Sequence, residues 1–245
     1  LITIFTVLIL DQILKVWVKL NFHYGESKSL IPGWLDLQFV ENPGMAGNVQ
    51  RNIKSIIDTC DVLTNPNWRD ITKTRFVHAT TNHMFFRVDS SGTIPRCNLS
   101  ELSLTSYDHV VVADYDKGFL TEDDIEFICK NHPSTFLDTK KVLGPWALSA
   151  TFIKINEHEY SRSIKSITPD LERKIIRTVG SHGAFYQGEQ FPVEQFGVMD
   201  SSGAGDSFMA GLVIEYSRTG DIRSAIKFAN ECATKVVQQK GVSVI

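Results

Sequence analysis

The chain has 245 residues, a formal net charge of −3 at pH 7, 42% hydrophobic residues and 22% charged residues. These values are ordinary for a soluble globular protein, and the length suits one large α/β domain or two small ones. The slightly acidic balance provides no basic surface and so excludes nucleic acid as a partner. The four cysteines (Cys60, Cys97, Cys129 and Cys232) lack metal-site spacing, and we expect free, mostly buried thiols.

Residues 1–20 form an unusually apolar start. Leu1 to Leu10 are nearly all hydrophobic, but Asp11 and Lys15 follow. A membrane-spanning helix requires about 20 predominantly apolar residues, and here charges follow after ten. A secretory signal has a basic start and a small-residue cleavage site, and this segment has neither. The composition therefore leaves burial in a protein core and contact with lipid both open.

From residue 49 onward, strand and helix patterns alternate along the chain. Thr121, followed by Asp124, predicts a capping box for a helix that starts at Glu122. The alternation predicts an α/β fold with a mostly parallel sheet flanked by helices. Helices are predicted at 49–57, 122–130 and 221–239, and two more begin after 156 and after 203. Strands are predicted at 74–77, 83–88, 109–114 and 241–245. Three further strands begin at 136, 152 and 175, and a hairpin is predicted near 185–193.

The stretch Asp200-Ser-Ser-Gly-Ala-Gly-Asp-Ser-Phe-Met-Ala-Gly211 lies between the apolar run 196–199 and a helical pattern. Gly203 and Gly205 therefore precede a helix N-terminus, where unpaired N–H groups and the helix dipole attract an anion. Asp206 adds a carboxylate, and this combination is typical of phosphoryl transfer to a hydroxyl with the carboxylate as base. An Asp that caps an ordinary helix after a glycine turn explains the motif equally well.

This stretch resembles the D-T-T-G-A-G-D-T-F-x-A-G motif of the PfkB (ribokinase-like) carbohydrate kinases. The resemblance covers about residues 44–245 and is greatest for the branch that includes heptose-phosphate kinases. It implies a ribokinase-like fold, a small sugar or sugar-phosphate substrate, and ATP with Mg²⁺ as cofactors. It also implies that Asp206 is the catalytic base and that the amides of Gly203, Ala204, Gly205 and Asp206 hold the transferred phosphoryl group.

Two further segments resemble substrate-binding motifs of this family. The segment from Gly44 to Asn48 is similar to G-G-x-x-N, which implies sugar contacts from Gly44, Gly47 and Asn48, although Met45 replaces a second glycine. Asn48 also fits a helix N-cap. Asp114 and Lys117 stand in a segment similar to S-D-Y-G-K-G, which implies that they bind substrate too.

The resemblance also implies a nucleotide side. Asn156 and Glu159 match N-x-x-E, so Asn156 is implied to bind nucleotide and Glu159 to hold Mg²⁺ through water; Mg²⁺ keeps several waters, so a single carboxylate is sufficient. From the residues alone, an Asn N-cap with Glu at N3 is the better interpretation. For Asp138 and Lys140, in a segment similar to V-D-P-K, a loop ion pair is favoured over a ligand role. The other implied nucleotide-binding residues are Thr178, Gly180, Gly183 and Asn230.

The start of the chain resembles a second family. The segments Asp11–Lys15, Ile31–Leu35 and Glu41–Ala46 are similar to the opening of lipoprotein signal peptidase, an inner-membrane protease, over about residues 1–47. The catalytic aspartates of that family lie in later segments, so peptidase activity is not implied. The two resemblances meet at residues 42–47 and indicate a chimera. Its parts are an atypical hydrophobic segment at 1–43 and a kinase domain at 44–245 that lacks the usual first strand.

The leading hypothesis is a cytoplasmic, ATP-dependent phosphotransferase that acts on a sugar or sugar-phosphate hydroxyl, with a homodimer left open. The second is a non-catalytic nucleotide-binding remnant. The third is a fragment of a signal peptidase fusion, held at the inner membrane through residues 1–20. The sequence contains neither a P-loop nor a G-x-S-x-G elbow, which argues against a P-loop kinase and a serine hydrolase.

Overall fold

The computed structural model describes residues 27–31, 35–40, 44–65, 73–78, 84–89, 94–194, 201–239 and 244–245. These residues form two units, one within 27–40 and 73–89 and the other within 44–65 and 94–245. The apolar segment 1–20, the run 196–199, Asp200 and most of the strand predicted at 241–245 lie outside the described residues.

The first unit is an antiparallel sheet of four strands in the order β1-β2-β3-β4. They are β1 (Ser27–Ile31), β2 (Leu35–Val40), β3 (Lys73–His78) and β4 (Met84–Asp89). Phe76 of β3 stacks on Phe86 of β4 with ring centroids 4.2 Å apart, a cross-strand pair that stabilises the sheet. The strands predicted at 74–77 and 83–88 are confirmed within one residue. The strand β3 pairs with β2, which comes from the signal-peptidase-like part of the chain, along the whole length of β2, and β4 pairs with β3.

The second unit contains a six-stranded sheet in the order β10-β9-β8-β7-β6-β5. The strands β5 to β8 are parallel, and the hairpin β9–β10 continues the sheet antiparallel. The predicted α/β class with a mostly parallel sheet is therefore confirmed. Its strands are β5 (Val110–Asp114), β6 (Thr135–Thr139), β7 (Phe152–Asn156), β8 (Ile175–Thr178), β9 (Ala184–Tyr186) and β10 (Glu189–Phe191).

Six α-helices of the described ranges belong to this second unit. The predicted helices are confirmed, except that the one predicted at 49–57 begins earlier, at Gly44, and ends at Lys54. The six helices are α1 (Gly44–Lys54), α2 (Glu122–Lys130), α3 (Glu157–Ser163), α4 (Pro169–Glu172), α5 (Ala204–Thr219) and α6 (Ile222–Val237). The capping box of Thr121 and Asp124 at the start of α2 is also confirmed. Because α1 begins at Gly44, Asn48 lies inside the helix, and its interpretation as an N-cap is wrong.

Both faces of the six-stranded sheet are covered, because successive strand residues point to opposite sides. Phe136 and Ile176 belong to a core that includes residues of α1, α5 and α6. Leu137 and Ile175 belong to a second core that includes residues of α2 and α4. This packing places α1 and α5 on the same face, and the start of α5 lies close to the carboxyl ends of the parallel strands.

The four cysteines are free thiols, and Cys97, Cys129 and Cys232 are buried, as predicted. Every helix within the described ranges falls short of the length and apolar content that a membrane crossing requires.

Candidate active site

A pocket of about 240 Å³ lies at the carboxyl ends of the parallel strands, beside the first turn of α5. Ligands of open α/β sheets bind at this edge. The pocket wall carries two carboxylates and two ammonium groups, so it suits a charged, polar ligand. It is lined by Met45 of α1, by Gly203, Gly205 and Asp206 at the start of α5, by Lys154 in the middle of β7, and by Tyr115, Asp138, Lys140, Asn156 and Thr178 at or near the strand ends.

Asp206, the third residue of α5, is 9% exposed. Asn48 of α1 donates from Nδ2 to its Oδ2 at 2.7 Å and so fixes the orientation of the carboxylate. Burial raises the pKa of Asp206 to about 6, against the lowering effect of the Asn48 hydrogen bond; Asp138 raises it, and Lys154 and Lys140 lower it. A carboxylate that titrates near neutral pH is suited to accept a proton from a hydroxyl.

The first turn of α5 presents backbone N–H groups that have no intrahelical acceptor. Its N-cap is Gly203, with φ of 83°, so the interpretation of Asp206 as the helix cap is wrong. The amide of Ser207 donates to the Gly203 carbonyl at 2.9 Å. The backbone amides of residues 203–206 were predicted to bind an anion. One of them, the amide of Ala204, donates to the Ser201 carbonyl at 3.4 Å and so already has an acceptor.

Lys154 and Asp138 form a buried ion pair beneath this turn. The Lys154 ammonium donates to Asp138 Oδ2 at 2.7 Å, and the side chains are 4% and 1% exposed. Burial lowers the pKa of Lys154, but the charge and hydrogen bond of Asp138, with the charges of Asp206 and Glu159, raise it, and the net shift is upward. Asp138 Oδ1 has no hydrogen-bond partner among the described residues. An ammonium has three donors, so two N–H groups of Lys154 remain for a ligand.

Gly205 is in close contact with Lys154. A Cβ built on Gly205 would lie 2.9 Å from Lys154 Nζ, too close unless the ammonium moves. This proximity explains why a glycine stands in the second position of α5, where alanine has the higher helix propensity.

We expect Gly205→Ala to reduce turnover at least tenfold while the protein stays folded. The new methyl group displaces the Lys154 ammonium from the pocket, and a misplacement of about 1 Å can cost roughly 10²-fold in rate. The gain in helix propensity, about 1 kcal/mol, offsets part of the steric cost to stability. Steady-state kinetics together with a thermal melt test this. Unchanged kcat and KM would show that the contact between Gly205 and Lys154 has no catalytic role.

A second ion pair joins Lys140, just after β6, to Glu159 of α3. Glu159 is 3% exposed. Its Oε2 accepts a hydrogen bond from the backbone N–H of Asn156 at 2.8 Å. Its Oε1 accepts from the side-chain Nδ2 of Asn156 at 2.9 Å and from Lys140 Nζ. Asn156 caps α3 through a capping box with Glu159, which confirms the local interpretation of this motif. The predicted ion pair between Asp138 and Lys140 is wrong, because β6 directs Asp138 to Lys154 of the neighbouring strand.

The contacts of Glu159 decide whether it fits a divalent cation. Both of its oxygens accept hydrogen bonds, and one of the donors is an ammonium group that would repel a second cation. Across the described ranges, no group of three or more His, Cys, Asp or Glu side chains is arranged to hold a metal ion. In this arrangement Glu159 does not fit Mg²⁺ as a direct ligand.

Comparison with protein families identifies two matches. Residues 131–244 match the pfkB family of carbohydrate kinases, and they contain Lys140, Lys154, Glu159 and Asp206. This match is a similarity over somewhat less than half of the chain. We call the second unit, which contains the matching residues, the pfkB-type segment. Residues 3–64 match signal peptidase (SPase) II, so the two matches occupy different parts of the chain, which is consistent with a chimera.

Individual relatives agree with both matches. The bifunctional protein HldE of Nitratiruptor sp. is 28% identical over 165 residues, which cover 60% of this chain and 36% of that protein. A lipoprotein signal peptidase of Porphyromonas gingivalis is 43% identical over 47 residues, or 19% of this chain and 20% of that one. The chain thus spans about a third of the first relative and a fifth of the second. The crystal structure of a ribokinase from Thermotoga maritima superposes with a TM-score of 0.51 at 13% identity, covering 66% of this chain and 62% of that one, and supports a ribokinase-like fold.

The pfkB-type segment brings some of the predicted site residues together. Gly203, Gly205, Asp206, Asn156 and Thr178 line the pocket, and Asn48 reaches it through its hydrogen bond to Asp206. Gly44 and Gly47 lie on α1 with Asn48, and Ala204 lies between the two pocket glycines of α5.

Other predicted residues lie elsewhere in the unit. Asp114 is buried, and its Oδ2 accepts from Thr139 Oγ1 at 2.8 Å and lies 3.2 Å from Lys141 Nζ. Asn230 Nδ2 donates to the Phe191 carbonyl at 2.9 Å, which ties α6 to β10. Gly180 and Gly183 close the turn between β8 and β9, and Lys117 is exposed. Ligand roles for these residues stay predictions.

Lys154 and Tyr115 line the pocket but were not predicted from the sequence. One signal could have identified Lys154, because a lysine in the middle of an apolar strand requires a buried partner. Tyr115 follows a strand end directly, and this position alone could have marked it as pocket-facing.

Proposed function

We propose that the pfkB-type segment transfers the terminal phosphoryl group of ATP to a hydroxyl group of a sugar or sugar phosphate. The observation that carries this proposal is the placement of Asp206. A buried carboxylate with a pKa of about 6 stands in a pocket beside a helix N-terminus and two ammonium groups. A base next to an anion-binding site is the arrangement that phosphoryl transfer to an alcohol requires.

In the proposed reaction, the substrate oxygen attacks the terminal phosphorus of ATP while Asp206 accepts the hydroxyl proton. The bond from phosphorus to the bridging oxygen breaks, and ADP leaves with that oxygen. The amides at the start of α5, with Lys154, stabilise the negative charge on the transferred group. Asn48 holds Asp206 in place through its hydrogen bond of 2.7 Å. Catalysis is then mainly positioning and charge stabilisation.

The test is sugar-dependent consumption of ATP by the purified chain. ADP release is measured with a panel of hexoses, pentoses and sugar phosphates, including heptose phosphates, and ³¹P NMR identifies the phosphorylated product. Asp206→Asn serves as the matched negative control, since it changes the charge but almost none of the volume. We expect one class of sugar to stimulate ADP release above the rate of this control. No stimulation by any sugar would contradict the proposal.

The outcome also separates the proposal from its main alternative, a nucleotide-binding remnant without catalysis. That alternative predicts ATP binding, measurable by calorimetry, with no sugar-stimulated turnover. Members of the resembled family carry a sugar-binding strand before the segment that corresponds to Gly44 to Asn48. In this chain the part that precedes Gly44 resembles signal peptidase instead, and this difference is the reason to test the alternative.

A further inference from the structure

Lys140 and Glu159 form an arrangement that the proposed phosphoryl transfer does not explain. Lys140 lines the pocket, whereas Glu159 is 3% exposed and does not contribute to its wall. The lysine therefore lies between the buried carboxylate and the pocket. An ion pair of this kind is costly to bury and is unnecessary for capping α3, because Glu159 already accepts two hydrogen bonds from Asn156.

The surroundings restrict where the Lys140 ammonium can be. Besides its contact with Glu159, it lies 6.0 Å from the centroid of the Tyr115 ring, and Tyr115 also lines the pocket. The backbone of Lys140 is held as well, because its amide donates to the Asp114 carbonyl at 3.0 Å. The ammonium is thus placed at the pocket wall, and its side chain is still 30% exposed.

We propose that Lys140 binds a phosphate group of the nucleotide, and that Glu159 positions Lys140 instead of holding a metal ion. This rests on the proposed function, because it assigns a ligand to the same pocket. An ammonium at the wall supplies a charge-assisted hydrogen bond to a phosphate oxygen. Glu159 restricts the flexible lysine to one orientation, so less side-chain entropy is lost on binding. Glu159 is thus a positioning residue.

The test is a double-mutant cycle on ATP binding, measured by isothermal titration calorimetry with the full chain. We expect Lys140→Met to weaken ATP binding roughly ten- to hundredfold, the range of one charge-assisted hydrogen bond. Lys140→Arg keeps the charge and should retain most of the affinity. Glu159→Gln should weaken binding less, roughly threefold to tenfold, and the double variant should bind like Lys140→Met, since Glu159 acts through Lys140.

A magnesium titration distinguishes this role from a metal ligand. The Mg²⁺ concentration at half-maximal ATP binding should be the same for Glu159→Gln and the parent chain. Gln at N3 still completes the capping box, so α3 should keep its stability, which a thermal melt checks. The matched control is the pair of Lys130 and Glu126, 2.8 Å apart on the exposed side of α2, where the corresponding variants should leave ATP binding unchanged.

Several outcomes would overturn the proposal. Unchanged binding in Lys140→Met or in Glu159→Gln, additive losses in the double variant, or a higher magnesium requirement in Glu159→Gln would each do so. A parent chain that binds no ATP would overturn both this inference and the proposed function. A parent chain that binds ATP but phosphorylates no sugar would contradict the proposed function alone.

Discussion

Asp206→Asn should abolish turnover and at the same time make the folded protein more stable. General-base assistance accounts for roughly 10²–10⁴-fold in rate, and the variant has no base. Burial raises the pKa of Asp206 from 3.8 to about 6. Each pKa unit corresponds to about 1.4 kcal/mol, so the ionised carboxylate lowers the stability of the folded protein by about 3 kcal/mol at pH 8. The amide of the variant avoids this cost and can donate to Asn48 Oδ1, which has no partner among the described residues.

The stability difference should depend on pH in a defined direction. Between about pH 4 and 6 the folded protein binds a proton that the unfolded chain has released, so the stability of the parent falls as pH rises through this range. The parent and the variant should therefore melt together near pH 4. By pH 8 the variant should melt about 6–12 °C higher. Turnover of the parent should rise with a midpoint near pH 6, as Asp206 loses its proton.

The control for Asp206→Asn is Asp170→Asn, which makes the same chemical change at a side chain that is 74% exposed. It should alter neither the melting temperature nor the rate. If Asp206→Asn kept more than about a tenth of the parent rate, below the loss expected for a base, Asp206 would not be the base. If Asp206→Asn melted at a lower temperature than the parent at pH 8, the expectation that the buried, ionised Asp206 destabilises the folded protein would be wrong.

Lys154→Met should destabilise the protein by about 3–5 kcal/mol, because it leaves the Asp138 carboxylate buried without its counter-ion. The double variant Lys154→Met/Asp138→Leu should recover most of this loss, since it removes the unpaired charge as well. Both the single and the double variant should have little turnover, because both lack the Lys154 ammonium beside the first turn of α5. Chemical denaturation gives the free energies of unfolding, and the sugar-dependent ATPase assay gives the rates.

A surface ion pair provides the comparison for Lys154→Met. Arg173 and Asp170 are 2.6 Å apart on exposed side chains, and Arg173→Met should cost less than about 1 kcal/mol. A similarly small loss for Lys154→Met would mean that the Asp138 carboxylate has access to water. Because Lys154 also lowers the pKa of Asp206, any residual activity of Lys154→Met should require a higher pH than the parent.

The sequence by itself determined the local structure of the pfkB-type segment. The capping boxes of Thr121 with Asp124 and of Asn156 with Glu159 were predictable because each joins residues three positions apart. The alternation of strands and helices, and the glycine turn before α5, were predictable for the same reason. Such signals depend on backbone geometry and on the periodicity of apolar residues over a few turns.

Only the tertiary structure decided which charges meet. Asn48 and Asp206 are 158 positions apart, and their hydrogen bond exists because α1 and α5 cover the same face of the sheet. Asp138 pairs with Lys154 and not with Lys140, because β6 and β7 are neighbours in the sheet. The sequence likewise contained the strand at 74–77 but not its pairing with β2 at residues 35–40. Pairing of distant segments depends on strand order and register, which no local pattern specifies.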